Sequence, residues 1–354
     1  MQGSPGFPTM AHIPARLARA LAAAALAVPL AALGLSPLGA KWADAADNAA
    51  ASAASTSGPP AQPPRALTGE QERGLHPLDH FRECVGCPEM VVIPNGAFLM
   101  GSRKGEGDGD EVGPNGGPLR VTIRAAYALG QFIVTVAEYM RCVDEKACAP
   151  PAWLEPGSPY NIATGDDLHF RRLGAALSDA RHPIVGVSWG NAQSFVGWLN
   201  TKLALPRARR YRLPSEAEFE RAARGGHEGL KYFWGNEFDA SAANASGEGG
   251  ADKWTYTSPV GSFPPNPYGL YDIHGNVWQW VEDCYHVSYA AMPAAVRDTG
   301  MPWSNACDDA GQRVLRGGSW IDDPRVLRAA DRGGSPPDIR YSYVGFRVAR
   351  TLER

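Results

Sequence analysis

The sequence predicts an α+β domain of low regular secondary structure, with short strands, many turns and about three helices. Glycine and proline make up 40 and 30 of the 354 residues, well above the roughly 12% that they contribute to an average protein. The hydrophobic fraction of 44% is nevertheless ample for a packed core. Three segments have the apolar spacing and capping residues of amphipathic helices, and the stretch after Ala223 contains only short strand-like runs and loops.

The first part of the domain predicts strands. Residues 90–102 form a β-rich run that Pro94 to Gly96 interrupts, which is typical of a hairpin. The glycine-rich, acidic stretch 105–117 is expected to be a loop, and residues 120–123 a short strand.

Three helices follow. The first covers about 135–143, with Thr135 as N-cap and Glu138 completing a capping box. The second follows Ser188 and has an apolar face. The third begins after Ser215, where the acidic residues of its first turn suit the helix dipole.

The N-terminal region predicts export. Arg16 and Arg19 precede an apolar run, and small residues at 43–45 follow at the distance expected of a cleavage site. We therefore expect a signal peptide at 1–45, with a retained membrane anchor as the alternative that the short, alanine-rich run disfavours. The mature protein would be periplasmic, cell-surface or secreted, with no integral membrane span.

The chain after the signal peptide divides into a linker and one domain. Residues 46–79 are dominated by Ala, Ser, Pro and Gly, which predicts a disordered linker. Residues 80–354 form the expected domain. Because 34 basic and 37 acidic residues are mixed along the chain, it lacks the basic patch that nucleic acid or an anionic membrane surface requires.

The six cysteines form three pairs that are close in sequence. Pairing within each cluster is the simplest arrangement for an exported chain, which gives disulfides Cys84–Cys87, Cys142–Cys148 and Cys284–Cys307. A zinc half-site or a redox motif at the first pair is the alternative. No second Cys-x-x-Cys completes a zinc site.

Six ordered motifs carry a family resemblance. They are residues 90–102, 182–189 (HPIVGVSW), 211–219 (YRLPSEAEF), 266–280 (NPYGLYDIHGNVWQW), 313–320 (RVLRGGSW) and 344–349 (VGFRVA). Together they resemble the formylglycine-generating enzyme (sulfatase-modifying factor) family. The resemblance implies a C-type-lectin-like fold, which agrees with the turn-rich composition. It implies no single function, because one fold carries several kinds of site.

The copper chemistry of that family depends on two cysteines, two and seven residues past the aromatic residue of the Arg-Gly-Gly-Ser-aromatic motif. Counting from Trp320 places Asp322 and Leu327 there. Copper(I) prefers soft thiolate ligands, so we expect neither copper nor formylglycine generation. Other relatives are non-haem iron enzymes or act in siderophore maturation, so an oxidative enzyme acting on a thiol, peptide or siderophore precursor remains the alternative.

Calcium is the cofactor that the resemblance implies, because the family binds it through side-chain and main-chain oxygens. Carried over residue by residue, one structural site comprises Asn244, Ala245, Asp252 and Trp254. The second comprises Asp272, Gly275, Val277 and Gln279. Glutamine at the last position, where the family usually has glutamate, removes one negative charge. The other interpretation is that these side chains cap turns.

Residues 321–343 resemble the variable region of retroelement-diversified proteins of the same fold. We expect a ligand-binding face made of Asp322, Asp323, Val326, Asp331, Gly333, Ser335, Ile339, Tyr341, Ser342 and Tyr343. Tyrosine and serine suit recognition because tyrosine offers rigid contact area and serine adapts its hydrogen bonds. By contrast, Trp189, Trp198, Trp278, Trp280 and Trp320 are expected in the core.

The leading hypothesis is therefore an exported, calcium-stabilised binding protein without copper chemistry, and the oxidative enzyme is the alternative. Its partner is expected to be a protein or another cell-surface ligand.

Overall fold

The computed structural model describes residues 65–107, 111–246, 253–307 and 311–353. The predicted signal peptide and residues 46–64 of the predicted linker lie outside these ranges. Within them, no helix is both long and apolar enough to cross a bilayer. Short strands and helices joined by long loops make up the domain, so the predicted α+β class is confirmed.

The strands, in chain order, are β1 (His80–Phe81), β2 (Met90–Ile93), β3 (Gly96–Met100), β4 (Leu119–Ile123), β5 (Tyr127–Gly130), β6 (Tyr211–Arg212), β7 (Trp278–Cys284), β8 (Arg313–Arg316), β9 (Arg332–Ser335), β10 (Val344–Phe346) and β11 (Ala349–Thr351). They form a five-stranded sheet in the order β1-β2-β5-β11-β6, a four-stranded sheet in the order β10-β7-β8-β9 and a β3-β4 pair. The C-terminal β11 lies between β5 and β6, so distant parts of the chain meet in one sheet.

The predicted hairpin over 90–102 is wrong. Both of its strands form, but β2 pairs with β1 and β5 while β3 pairs with β4. The two residues between β2 and β3 separate two different sheets, because β2 finds the later partner β5 and β3 finds β4. The strand predicted at 120–123 is β4.

The helices are α1 (Gly69–Arg73), α2 (Val136–Asp144), α3 (Leu168–Ser178), α4 (Trp189–Lys202), α5 (Glu216–Arg224) and α6 (Ala294–Arg297). The three predicted helices are α2, α4 and α5. Thr135, Ser188 and Ser215 each form the N-cap of a capping box, so each helix begins where the sequence indicates.

Helices α1, α3 and α6 were not predicted. Helix α3 follows the N-cap Asp167, but Gly174 inside it has non-helical backbone angles. This interruption obscures the helical repeat of its apolar residues. Helix α1 lies within the predicted disordered linker, whose boundary at 79 is therefore wrong. Glu72 of α1 is fully buried and pairs with Arg209 and Arg350 at 2.8 and 2.6 Å, which holds this segment on the domain.

The interior contains apolar clusters on both sides of the sheets and several buried ion pairs. Of the five tryptophans predicted in the core, Trp198, Trp278, Trp280 and Trp320 are buried, and Trp189 is half-buried. Arg316 and Arg350 are 0% exposed, and each pairs with glutamates. Buried charges are tolerated only when they have such partners.

The predicted disulfides are confirmed. Cys84–Cys87, Cys142–Cys148 and Cys284–Cys307 have Cα–Cα distances of 5.0, 5.3 and 5.0 Å, which are ordinary for disulfides. All six cysteines lie in the described ranges, and none of them is free.

Candidate functional site

The predicted ligand-binding segment, residues 321–343, spans the four-stranded sheet. It follows β8, makes a 3₁₀ turn at Pro324–Leu327 and then forms the edge strand β9. It ends where the backbone N–H of Trp278 donates to the carbonyl oxygen of Tyr343 at 2.8 Å, beside the opposite edge strand β10. The segment therefore joins the two edges of one sheet and is held at both ends.

The two positions that carry copper-binding cysteines in the family have other roles here. Asp322 accepts a hydrogen bond from the backbone N–H of Ser319 at 2.9 Å and another from its hydroxyl group. Leu327 is fully buried and packs in a small apolar cluster with Tyr232 and Ala243. Neither side chain can act as a thiolate ligand, and the cysteines of the chain are all in disulfides.

Three carboxylates of the segment, Asp322, Asp323 and Asp331, differ in their partners. Asp323 pairs with Arg325 at 2.9 Å, and Asp331 pairs with Arg328 at 2.7 Å. Asp322 has the Ser319 hydrogen bonds instead. Burial raises the pKa of the Asp322 carboxyl group, and hydrogen bonds from Ser319 and the Trp278 side chain offset part of this effect.

Two tyrosine side chains form a stacked pair at the end of the segment. The rings of Tyr341 and Tyr343 stack with their centroids 5.0 Å apart, and Tyr341 is 42% exposed. Ser342, between them, is buried, and its hydroxyl lies 2.7 Å from Nε2 of His169. The His169 ring stacks on Trp320 with a centroid distance of 5.5 Å, so helix α3 fixes the backbone that presents the two tyrosines.

Two cavities flank the segment. The Trp320 cavity has a volume of about 440 Å³ and is lined by Ala245, Ser246, Lys253, Trp254, Thr255, Trp320 and Ile321. The Tyr232 cavity has a volume of about 400 Å³ and is lined by Glu106, Gly107, Lys231, Tyr232, Arg325, Val326, Arg328 and Asp331. The segment therefore contributes walls to both.

The structure divides the predicted binding residues into groups. Val326 and Asp331 line the Tyr232 cavity. Asp323 and Tyr341 are exposed, whereas Ser335 and Ser342 are buried. The partly buried members are Asp322, Val326, Asp331, Gly333, Ile339 and Tyr343. A single flat face made of all ten residues is not what the fold presents.

Several residues of this region were not predicted from the sequence. His169, Tyr256 and the cavity residues Lys231 and Lys253 come from loops or helices far from residues 321–343. No local motif marks them. Ser319, in contrast, belongs to a family-like motif and could have been identified from its position.

The first predicted calcium site contains a buried side-chain oxygen without a hydrogen-bond partner among the described residues. The amide nitrogen of Asn244 donates to the carbonyl oxygen of Tyr256 at 2.8 Å, whereas its Oδ1 atom is buried without a hydrogen-bond partner in the described part of the chain. Ala245 and Trp254 line the adjacent Trp320 cavity, and Asp252 lies outside the described residues. An unpaired side-chain amide oxygen is a ligand of the kind that calcium accepts.

The second predicted calcium site fits less well. Gln279 Oε1 accepts a hydrogen bond from Arg347 Nε at 2.6 Å, and Arg347 also donates to the carbonyl oxygen of Asp272 at 3.1 Å. The Asp272 carboxylate accepts from Gly261 N–H at 2.8 Å, and burial raises its pKa to about 6. A buried guanidinium already supplies positive charge to these oxygens, so we retain only the first site as a calcium prediction.

Chelation tests the first site. Melting temperature measured by calorimetry should fall by about 5 °C when EDTA replaces calcium, as expected for the loss of roughly 2.7 kcal/mol of ligand stabilisation. Asn244→Ala should abolish this difference, and the exposed Asn115 provides the control Asn115→Ala. Equal melting temperatures of the unaltered protein in calcium and EDTA would contradict the prediction.

The domain consists of short strands and long loops, and residues 321–343 are held between the edges of one sheet. These features define a fold of the formylglycine-generating-enzyme type. Residues 79–352 match the family model of the sulfatase-modifying factor enzyme 1-like domain. The chain belongs to this family.

The relatives of this chain include proteins named as an enzyme, as an inactive enzyme and as a protein kinase. The inactive Cα-formylglycine-generating enzyme 2 of Bos taurus is 31% identical over 73% of this chain and 87% of its own length. The formylglycine-generating enzyme of Thermomonospora curvata is 30% identical over 73% of this chain and 92% of its own. The serine/threonine-protein kinase Pkn1 of Chlamydia caviae is 34% identical over 75% of this chain, but the chain spans only 38% of that kinase.

Two solved structures are similar. PvdO from Pseudomonas aeruginosa has a TM-score of 0.61 and 30% identity, covering 78% of this chain and 100% of its own. Treponema denticola variable protein 1 has a TM-score of 0.54 and 23% identity, covering 77% of this chain and 98% of its own. At that identity the second similarity concerns the fold alone.

Proposed function

We propose that this protein is an exported, ligand-binding member of the family and that its ligand contacts the surface formed by residues 321–343. The observation that carries the proposal is the stacked Tyr341–Tyr343 pair, with Tyr341 42% exposed. Tyrosine provides a large, amphipathic contact area with few rotatable bonds.

The surface is organised before a ligand arrives. His169 bonds to Ser342 and stacks on Trp320, so the two tyrosines are attached to a rigid part of the domain. Preorganisation reduces the entropy lost on binding. A protein or cell-surface peptide could therefore bind here without ordering a loop first.

Copper-dependent formylglycine generation is not part of this proposal. Asp322 and Leu327 replace the two cysteines, and copper(I) prefers thiolate ligands. The relative from Bos taurus is named inactive. This name agrees with a family whose fold can persist without formylglycine generation.

Export is supported by the disulfides. Three disulfides in one domain are typical of proteins that fold outside the reducing cytoplasm. The protein would then be periplasmic, cell-surface or secreted. Diversification of residues 321–343 by a retroelement stays a prediction, since Treponema denticola variable protein 1 is similar in fold only.

An oxidative enzyme acting on a thiol, peptide or siderophore precursor is the second candidate. One observation favours it: Asp322, a partly buried carboxyl group whose pKa is raised by burial, lies where the family has a copper-binding thiol, and a carboxyl group can serve in proton transfer. Metal analysis of the purified protein separates the candidates, because stoichiometric copper or iron would overturn the binding proposal.

Peptide selection tests the binding surface. A phage-displayed random peptide library panned on the full chain should enrich a related set of sequences. The Tyr341→Ala substitution should weaken binding of the synthesised peptides by about tenfold or more, because exposed tyrosines at an interface often dominate the affinity. Fluorescence anisotropy would measure the dissociation constants.

The control replaces another exposed apolar side chain outside the segment. Met301 is 56% exposed, and Met301→Ala should leave peptide affinity unchanged. Failure to enrich any peptide, or equal affinity of the unaltered protein and Tyr341→Ala, would overturn the proposed surface.

A further inference from the structure

Within the described ranges, Asp322 is the partly buried acid of the segment that lacks a cationic partner, whereas the unpaired Asp338 is exposed to solvent. Asp323 and Asp331 have arginine partners at 2.9 and 2.7 Å. Among residues 65–107, 111–246, 253–307 and 311–353, none of the ion pairs within 4.0 Å involves Asp322. Arg340, in the same segment, pairs with Glu155 instead.

The Asp322 carboxylate is fixed in position. Its Oδ2 atom accepts the two hydrogen bonds from Ser319. Its backbone N–H donates to the carbonyl oxygen of Ser319 at 3.1 Å, and its own carbonyl oxygen accepts from Ser246 N–H at 3.0 Å. The side chain is only partly buried, so a ligand can reach a carboxylate that has little freedom to move away.

Aromatic side chains lie next to this carboxylate. The Trp278 side chain hydrogen-bonds to it, and the Trp278 backbone N–H donates to the carbonyl oxygen of Tyr343 at 2.8 Å. Burial raises the pKa of Tyr343 to about 12, and the negative charge of Asp322 contributes to that rise. The geometry agrees, because Asp322 lies two residues after Trp320, whose ring stacks on His169, and His169 bonds to Ser342 between the two tyrosines.

A partly desolvated carboxylate without a counter-ion is costly, and a cation placed beside it removes that cost. Tyrosine rings also attract cations through their π faces. Lys253 does not fill this role, since its ammonium group lies over the ring of Trp254 at 4.9 Å. Within the described ranges no lysine or arginine pairs with Asp322, so the position beside its carboxylate is open to a cation of a ligand.

We infer that Asp322 and the Tyr341–Tyr343 pair form a subsite for the basic side chain of a peptide ligand, a lysine ammonium or an arginine guanidinium group. This inference rests on the proposed function, because it assigns chemistry to the same surface. It goes beyond that function by naming the group that the surface selects.

Small probes test the subsite without any selected peptide. N-acetyl-lysine methylamide, titrated into the full chain and followed by NMR of the tryptophan indole N–H signals, should bind at least about tenfold more tightly than its neutral norleucine counterpart. Asp322→Asn should remove this preference and leave norleucine binding unchanged. Asparagine keeps an oxygen that accepts the Ser319 hydrogen bonds, so the turn should remain folded.

The neighbouring acid provides the control. Asp323 is exposed and paired with Arg325, so Asp323→Asn should retain the preference for lysine. Affinity for the lysine probe should also fall as pH falls through the raised pKa of Asp322, because only the ionised carboxylate attracts the cation. Asp322→Asn should show no such pH dependence.

The possible failures are distinct. Equal affinity for the lysine and norleucine probes, or equal loss of both in Asp322→Asn, would overturn the subsite. Selected peptides without basic residues that still require Tyr341 would also overturn it, while the proposed function would stand. The small probes and the peptide selection can also disagree. If the preference for the lysine probe depends on Asp322 but the library yields no peptide, the subsite is supported and peptide binding as the function is contradicted.

Discussion

Replacing Glu220 with alanine is expected to lower the free energy of unfolding by about 3–5 kcal/mol. Glu220 is fully buried, and its two oxygens pair with Arg224 at 2.7 Å and with Arg316. It also accepts a hydrogen bond from Gly101 N–H at 2.6 Å. In the alanine variant the buried guanidinium groups of Arg224 and Arg316 would lose a carboxylate partner. The backbone N–H of Gly101 would lose its acceptor.

Urea unfolding, followed by tryptophan fluorescence, would measure this loss. Glu228 is exposed and lies just beyond α5, so Glu228→Ala serves as the control and should change stability by no more than about 0.5 kcal/mol. A loss below about 1 kcal/mol for Glu220→Ala would show that the arginines find other partners and that the network does not stabilise the domain.

Replacing Glu72 with alanine should release the N-terminal segment from the domain. Its carboxylate pairs with Arg350 at 2.6 Å and Arg209 at 2.8 Å, and it accepts the backbone N–H of Glu353 at 2.7 Å. All three partners belong to the C-terminal half of the chain. We expect the free energy of unfolding to fall by about 3 kcal/mol, the lower end of the range for breaking a buried ion pair. The loss is not larger because Glu83 also pairs with Arg350.

Limited proteolysis with mass spectrometry would locate the effect. Cleavage near α1 should accelerate strongly in Glu72→Ala, whereas Glu70→Ala should behave like the unaltered protein, since Glu70 lies in the same helix but is exposed. Unchanged cleavage in Glu72→Ala would mean that α1 is held on the domain by its apolar contacts rather than by this carboxylate.

Local signals in the sequence predicted the parts of the fold that depend on neighbouring residues. Thr135, Ser188 and Ser215 are N-caps because a short polar side chain can accept the free N–H groups of the turn that follows it. The disulfide partners Cys84 and Cys87 are close in sequence. Such features need no knowledge of the rest of the chain.

Pairing between distant segments could not be predicted in this way. The β2 and β3 strands were expected to form a hairpin, yet each pairs with a different strand, because the energy of a strand pair depends on which edges are available in the folded domain. The residues around Glu72 were expected to be disordered on composition alone, which cannot reveal that Arg350 lies within 2.6 Å.

The candidate site shows the same division. The motifs of the sequence identified the family, located residues 321–343 and showed that no cysteine stands at the copper positions, since all of this depends on residue identity and order. Which of the acids Asp322, Asp323 and Asp331 lacks a cation, and which tyrosines are exposed, depended on three-dimensional packing. Charge partners and solvent exposure arise from residues that meet only after folding, as His169 meets Ser342 across 173 positions.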